Sequence, residues 1–229
     1  MNTTPTLLSI DEQATIWSVP EAERLEALTD RPLLLMLHGF GSNERDLAGL
    51  FEAVGPDYLI ASLRAPLPLP GMAGSYAWLP LDPERVGHPD PALADAAVRG
   101  VLRWLEAMHA QVRSPGPVGL LGFSQGAAMS LQLLRHEPES FQCAVLLSGF
   151  AVPGLHGGDE AMAQIRPPVF VGHDPADPII PPAAQERLEA FAREHTTLSA
   201  RTYPGVGHGV SSAELHDVVT FLEEHLPRS

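Results

Sequence analysis

Short apolar runs alternate along this chain with longer stretches whose apolar positions recur every third or fourth residue. The runs are "PLLLMLH" (32–38), "YLIASL" (58–63), "PVGLLG" (117–122), "CAVLLS" (143–148), "PVFVGH" (168–173) and "LSARTY" (198–203). Most are apolar without a break, the pattern of a strand covered on both faces. "ATIWSV" (14–19) reads as a further strand, paired with the nearby "TLLSI" (6–10). The stretches between the runs read as helices. Asp90 caps one, with Pro91 at its first position and an apolar face of Leu93, Ala97, Val101, Leu105, Met108 and Val112. Residues 125–136 and 182–195 read as two more. Ser211-x-x-Glu214 is a capping box, and Leu215, Val218, Val219, Leu222 and Leu226 follow it at helical spacing. This alternation predicts a single α/β domain over 1–229, with a mostly parallel central sheet and helices on both faces.

Two segments break the pattern. Residues 64–90 hold six prolines from Pro66 to Pro89, and 149–167 is also rich in glycine and proline. Loops of that length are uncommon in compact domains and are often functional. In an open α/β sheet the ligand sits beyond the carboxyl ends of the strands. Both segments follow strands, so both are expected as rim loops over an active site.

Composition narrows the partners. The chain has 229 residues, 45% of them hydrophobic, and a formal net charge of −14. Such a surface repels nucleic acid and anionic membrane. Cys143 is the lone cysteine, which excludes an intramolecular disulfide. The start, "MNTTPTLLSIDEQ", has no basic region followed by an apolar one, and no run approaches the ~20 apolar residues of a membrane span. A cytoplasmic protein without a membrane span is the expectation, and a homodimer is compatible with it.

The chemistry centres on "LLGFSQGAAMS" (120–130). Gly-x-Ser-x-Gly is weak by itself, and its context gives it meaning. Here Ser124 follows an apolar strand and opens an amphipathic helix. Gly122 and Gly126 relieve the crowding of a strand that turns directly into a helix. The residue at such a turn is strained and its side chain is presented outward. A serine hydroxyl also needs a base. On this architecture the triad order is Ser…Asp/Glu…His. Downstream, "VGHDPADPIIPP" offers Asp174 and Asp177 after one strand, and "YPGVGHGVSSAEL" offers His208 after the next. His195 and His216 fall in predicted helices, His225 near a helix end, and His38 before a glycine turn. Ser124, Asp177 and His208 fit the order on one rim. The oxyanion donors expected are the backbone N–H of Gln125, directly after the serine, and that of Phe40 in "HGFGSNERDL". Met72, Tyr76 and Trp78, in the 64–90 segment, are expected to wall the substrate site. The histidines show no His-Glu-x-x-His pattern, so neither metal nor cofactor is expected.

At these residues the chain resembles the phospholipase/carboxylesterase group of α/β-hydrolases, which includes the acyl-protein thioesterases. The resemblance rests on "LHGFGSNERDL", "RAPLPLPGMAGSYAW", "GFSQGAAMSL", "LLSGF", "DPADPIIP" and "GVGHGVSSAEL". It implies the α/β-hydrolase fold, Ser124 as nucleophile, Asp177 as acid, His208 as base, and Phe40 and Gln125 as oxyanion donors. The form of the first motif is closer to the bacterial carboxylesterase branch. One departure stands out: Asp174 occupies a position where the family commonly has glycine, which makes it a rival to Asp177. The expected activity is that of a serine carboxylesterase, acting on small-molecule esters of small to medium acyl chains through an acyl-enzyme. An acyl thioesterase or lysophospholipase-like hydrolase uses the same machinery. A non-catalytic binding protein on a hydrolase scaffold is the third reading.

Overall fold

A computed structural model describes residues 8–80 and 89–227. In chain order its strands are β1 (Ile16–Trp17), β2 (Leu33–Leu37), β3 (Leu59–Leu63), β4 (Leu67–Pro68), β5 (Tyr76–Ala77), β6 (Val118–Phe123), β7 (Cys143–Leu147), β8 (Pro168–His173) and β9 (Thr197–Thr202). The helices are α1 (Arg24–Asp30), α2 (Glu44–Ala48), α3 (Phe51–Val54), α4 (Pro91–His109), α5 (Gln125–His136), α6 (Asp159–Ile165), α7 (Pro182–His195) and α8 (Ser212–His225). Seven strands form one sheet in the order β1-β3-β2-β6-β7-β8-β9. Every neighbouring pair is parallel except β1 with β3.

The continuous apolar runs have the cause inferred for them. Alternate side chains of a strand face opposite sides, and here both sides are covered. Leu33, Leu35 and Leu37 join Leu120, Leu146, Val101 of α4 and Met129 of α5 in one core. Leu34 and Met36 join Leu121, Val145 and the α8 residues Val218, Phe221 and Leu222 in the other. β9 is the outer strand, and its exposed Thr197, Arg201 and Thr202 make an unfavourable edge for further pairing.

Three expectations need correction. β1 does not pair with residues 8–10, the described part of the expected partner. It runs antiparallel to β3, Ile16 opposite Ser62 and Trp17 opposite Ala61, and closes that edge of the sheet. Residues 8–10 are not in a strand, and 6–7 lie outside the described residues. The buried stripe of α4 is shifted by one position at its start. Ala94, Ala97, Val98, Val101, Trp104, Leu105 and Met108 are buried, Leu93 is exposed, and Val112 lies beyond the helix. Small alanines, not the larger leucine, let α4 lie close to α5.

The third correction concerns the rim segments. Residues 64–80 contain a small hairpin, β4 with β5; 81–88 lie outside the described residues. The 149–167 segment leaves the rim soon after β7. Arg135, near the carboxyl end of α5, donates to Val152 O at 3.0 Å, Gly154 O at 2.7 Å and both carboxylate oxygens of Asp159 at 2.7 and 2.8 Å. α5 starts at the rim, so ten residues of helix put this anchor roughly 15 Å from it.

Candidate active site

Four strand ends converge at the rim. β2 leads into His38-Gly39-Phe40-Gly41, β6 into Ser124, β8 into the loop of Asp174 and Asp177, and β9 into the loop of His208. Ser124 sits between β6 and α5 at φ 55° and ψ −114°, a conformation that costs an L-residue of the order of 1–3 kcal/mol. Its N–H is held by Leu147 O of the next strand at 2.8 Å. The glycines act through space, not through their own dihedrals. A Cβ on Gly126 would run into the Leu37 carbonyl, and one on Gly122 into the Gly126 backbone.

His208 Nε2 lies 3.1 Å from Ser124 Oγ. Its Nδ1 lies 2.8 Å from Asp177 Oδ2. The other oxygen of Asp177 accepts the N–H groups of Ile179 at 2.7 Å and Ile180 at 3.0 Å. Asp177 is buried, and Phe123 packs against the His208 ring with centroids 4.9 Å apart. With Nδ1–H donated to Asp177, Nε2 is free to accept the serine proton. The structure thus brings Ser124, Asp177 and His208 into one hydrogen-bonded series. Asp174 lies outside that series: its carboxylate accepts Ala176 N–H and Gly207 N–H.

The loop after β2 is fastened from several sides. His38 is buried between Gly39 O, 2.8 Å from Nδ1, and the Ala65 N–H, 3.1 Å from Nε2. A backbone N–H can only donate, so Nε2 accepts and Nδ1 carries the proton. Burial lowers the pKa of His38, which favours this neutral form. The Gly39 carbonyl is therefore held toward the His38 ring. In a trans peptide the following N–H points the opposite way, so the ring fixes the direction of the Phe40 N–H. Among the described residues, no protein acceptor is seen for the Phe40 or Gln125 backbone N–H. Gly39 abuts the nucleophile, since a Cβ there would lie 3.4 Å from Ser124 Cβ.

The predicted wall residues divide. Met72 is exposed at the tip of the β4–β5 hairpin. Tyr76 is half-buried, under the Arg64 guanidinium at 4.7 Å. Its backbone ties the hairpin to the loop after β2, through Gly41 N–H to Tyr76 O at 2.9 Å and Tyr76 N–H to Ser42 O at 2.8 Å. Trp78 is a correction. It is 0% exposed, so it offers a substrate no surface here. Its indole N–H donates to His38 O at 2.8 Å, and its backbone N–H to Gln125 Oε1 at 2.8 Å. The Gln125 amide also donates to Leu79 O at 3.0 Å. Sequence reasoning read His38 as a bystander and Gln125 only for its backbone. The adjacency of each to a predicted oxyanion donor or nucleophile was the available signal.

Asp95, His136 and His156 each bring a potential ligand atom within 4.8 Å of the others. Gly158 N–H donates to His156 Nδ1 at 3.1 Å. A neutral imidazole has one lone pair, and this bond uses it. His156 then has none for a metal ion; its ring packs on that of His136, centroids 4.0 Å apart, and His136 Nε2 lies 3.0 Å from Asp95.

With this geometry in place, the comparisons with known proteins are decisive for the family. Residues 25–226 match the Phospholipase/Carboxylesterase family. The chain belongs to it. An acyl-protein thioesterase 1 of Saccharomyces cerevisiae is 26% identical over 148 residues, 60% of this chain and 65% of that one. A probable carboxylesterase of Oryza sativa subsp. japonica is 23% identical over 231 residues, 92% of this chain and 84% of that one. The crystal structure of esterase PE8 superposes with a TM-score of 0.71 at 27% identity, over 86% of this chain and 94% of that one. The chain spans less than two thirds of that Saccharomyces thioesterase, 65%, and 47% of one from Debaryomyces hansenii. The protein is a hydrolase-family member of α/β-hydrolase fold, and no described helix is long and apolar enough to cross a membrane.

Proposed function

We propose that this family member is a serine carboxylesterase that cleaves small-molecule esters of small to medium acyl chains, without a cofactor, in the cytoplasm. The observation that carries the reading is the series Asp177–His208–Ser124, joined at 2.8 and 3.1 Å, with the serine on a strained turn. Ser124 Oγ attacks the ester carbonyl carbon as His208 Nε2 takes its proton. Asp177 keeps the proton on Nδ1 and stabilises the imidazolium. The carbonyl oxygen, now an anion, receives the Phe40 and Gln125 N–H groups. Loss of one such donor costs roughly 3 kcal/mol of transition-state stabilisation. Collapse expels the alcohol, which takes the proton from His208. Water then enters, gives a proton to His208 and attacks the acyl-enzyme, and the acid leaves with Ser124 restored.

A second reading is an acyl thioesterase, favoured by the yeast relatives' name. A thiolate leaves more easily than an alkoxide and asks less of His208. A panel of aryl esters and acyl thioesters of graded chain length tests both, with Ser124→Ala as control. Hydrolysis that survives in Ser124→Ala would reject the serine mechanism. A kcat/KM for thioesters far above that for matched esters would favour the second reading.

A further inference from the structure

We infer that Asp174 is a positioning residue, whose carboxylate clamps the histidine loop to the acid loop and so sets His208 against Asp177 and Ser124. The inference rests on the hydrolytic reading above. Asp174 begins the loop that carries Asp177, directly after β8. One carboxylate oxygen stays within that loop and accepts Ala176 N–H at 2.8 Å. The other crosses to the loop after β9 and accepts Gly207 N–H at 2.7 Å. Gly207 immediately precedes His208. The backbone of Asp174 contributes as well: its carbonyl accepts Asp177 N–H at 3.1 Å and the Gln185 side-chain amide at 2.9 Å. One buried residue thus touches both loops of the series and helix α7.

The histidine loop needs such a clamp. Gly205 and Gly207 both take positive φ, 87° and 69°. Glycine-rich backbone of this kind is entropically costly to hold in place. The Asp174 carboxylate takes the Gly207 N–H of this turn, and its pKa is lowered by the Ala176 and Gly207 N–H groups first and by those of Gly205 and Val206 less. The anion and the turn are matched, and the imidazole follows from the turn. Both oxygens of Asp174 are used by backbone N–H groups, whereas Asp177 keeps one for His208 Nδ1. That division separates the clamp from the acid.

The test compares Asp174→Asn and Asp174→Gly with the parent protein. An asparagine places an NH₂ against one of the two N–H donors, and a glycine removes both acceptors. Two quantities are read: kcat and KM on one aryl ester, and the low-field proton resonance of the His208 Nδ1–H bonded to Asp177. A displacement of reacting groups by about 1 Å costs about 100-fold, so a loosened loop is expected to lower kcat by about 10- to 100-fold. KM is expected to stay within about twofold, because ground-state binding is untouched. The low-field resonance is expected to broaden or vanish, while circular dichroism shows native fold. A role in stability alone would leave that resonance sharp in the folded variant. Folded variants with parental kcat and a sharp resonance would overturn the inference. Should neither variant fold, the parent decides: Gly207 N–H must be protected from exchange, and its shift must follow the titration of a single carboxyl. An unprotected Gly207 amide also overturns it. The resonance and the amide are read without turnover, so failure of the esterase reading, seen in the Ser124→Ala control, is distinguishable from failure of the clamp.

Discussion

Trp78 donates its indole N–H to the carbonyl of His38, forty positions earlier, at 2.8 Å. That carbonyl precedes the peptide whose orientation the His38 ring controls. Trp78 therefore belongs to the support of the Phe40 N–H and not to a wall in contact with substrate. Trp78→Phe keeps most of the bulk and removes the donor, leaving His38 O unpaired in a buried place. A looser oxyanion loop stabilises every tetrahedral intermediate less, whatever the acyl chain. The expected result is a fall in kcat of about tenfold, roughly half of the loss for one donor removed outright on a logarithmic scale. It should be the same for acetate and hexanoate aryl esters. A loss confined to longer chains would show that Trp78 reads the acyl group.

Asp177→Asn is expected to be far worse. Asp177 Oδ1 accepts two backbone N–H groups, from Ile179 and Ile180. An asparagine must put its oxygen there, so its NH₂ faces His208 Nδ1. That group donates where the carboxylate accepted, and the ring proton is driven to Nε2. An Nε2–H cannot take the proton of Ser124. The same tautomer error in a protease triad costs about 10⁴ in kcat, and a fall of that order is expected here with the fold intact. Kinetics on an aryl ester with circular dichroism as a folding check decide it. A variant within tenfold of the parent would mean that Asp177 is not the acid.

Much of this site was legible in the sequence because its parts are local. A strand, a glycine and a helix are contiguous at 118–136, and their order fixes what must stand at the turn. The placement of Asp177 and His208 after successive strands was legible for the same reason, since parallel strands end on one rim. The supports were not legible. Trp78 meets His38 only because the β4–β5 hairpin folds back on the loop after β2, and its type suggests a wall as readily as a brace. The course of 149–167 was hidden too. A glycine- and proline-rich stretch reads as a loop, and nothing local says that Arg135, itself a residue of an apolar helix, draws it away from the rim. Short β1 went to the wrong partner because two residues carry too little alternation to fix a pairing.

The strain at Ser124 gives a stability prediction. The residue has φ 55°, where glycine is at ease and alanine is not. Ser124→Gly should release part of the 1–3 kcal/mol held there, offset by the greater freedom of glycine in the unfolded chain. Ser124→Ala removes the hydroxyl and leaves the backbone strained. The glycine variant is expected to melt about 2–4 °C above the alanine variant, as about 1 kcal/mol does for a chain of this size. Both should be inactive. Equal melting temperatures would mean that the turn is not strained in solution.

Glu214 carries the pH dependence of stability that the structure makes most visible. It is the third residue of α8, its N–H donates to the capping Ser211 Oγ at 3.1 Å, and its side chain is buried against Gly172 of β8. Neither carboxyl oxygen completes a hydrogen bond among the described residues. Burial raises its pKa from 4.5 to about 7, opposed by the Ser211 backbone N–H and aided a little by Asp217. The folded protein thus holds a proton that the unfolded chain has lost between those two values. Where the native state binds more protons, stability falls as pH rises. The cost is absent below about pH 4.5, grows through pH 7, and is complete above it. Glu214→Gln cannot ionise and removes that slope, while any cost of its own buried amide is independent of pH. Two to three units of pKa correspond to about 3 kcal/mol, and relaxation around the carboxylate brings the expected gap nearer 2. Melting temperatures of parent and variant, taken from pH 5 to pH 8.5, are expected to diverge with rising pH in favour of the glutamine. Parallel curves would show that Glu214 ionises in the folded protein as easily as in water.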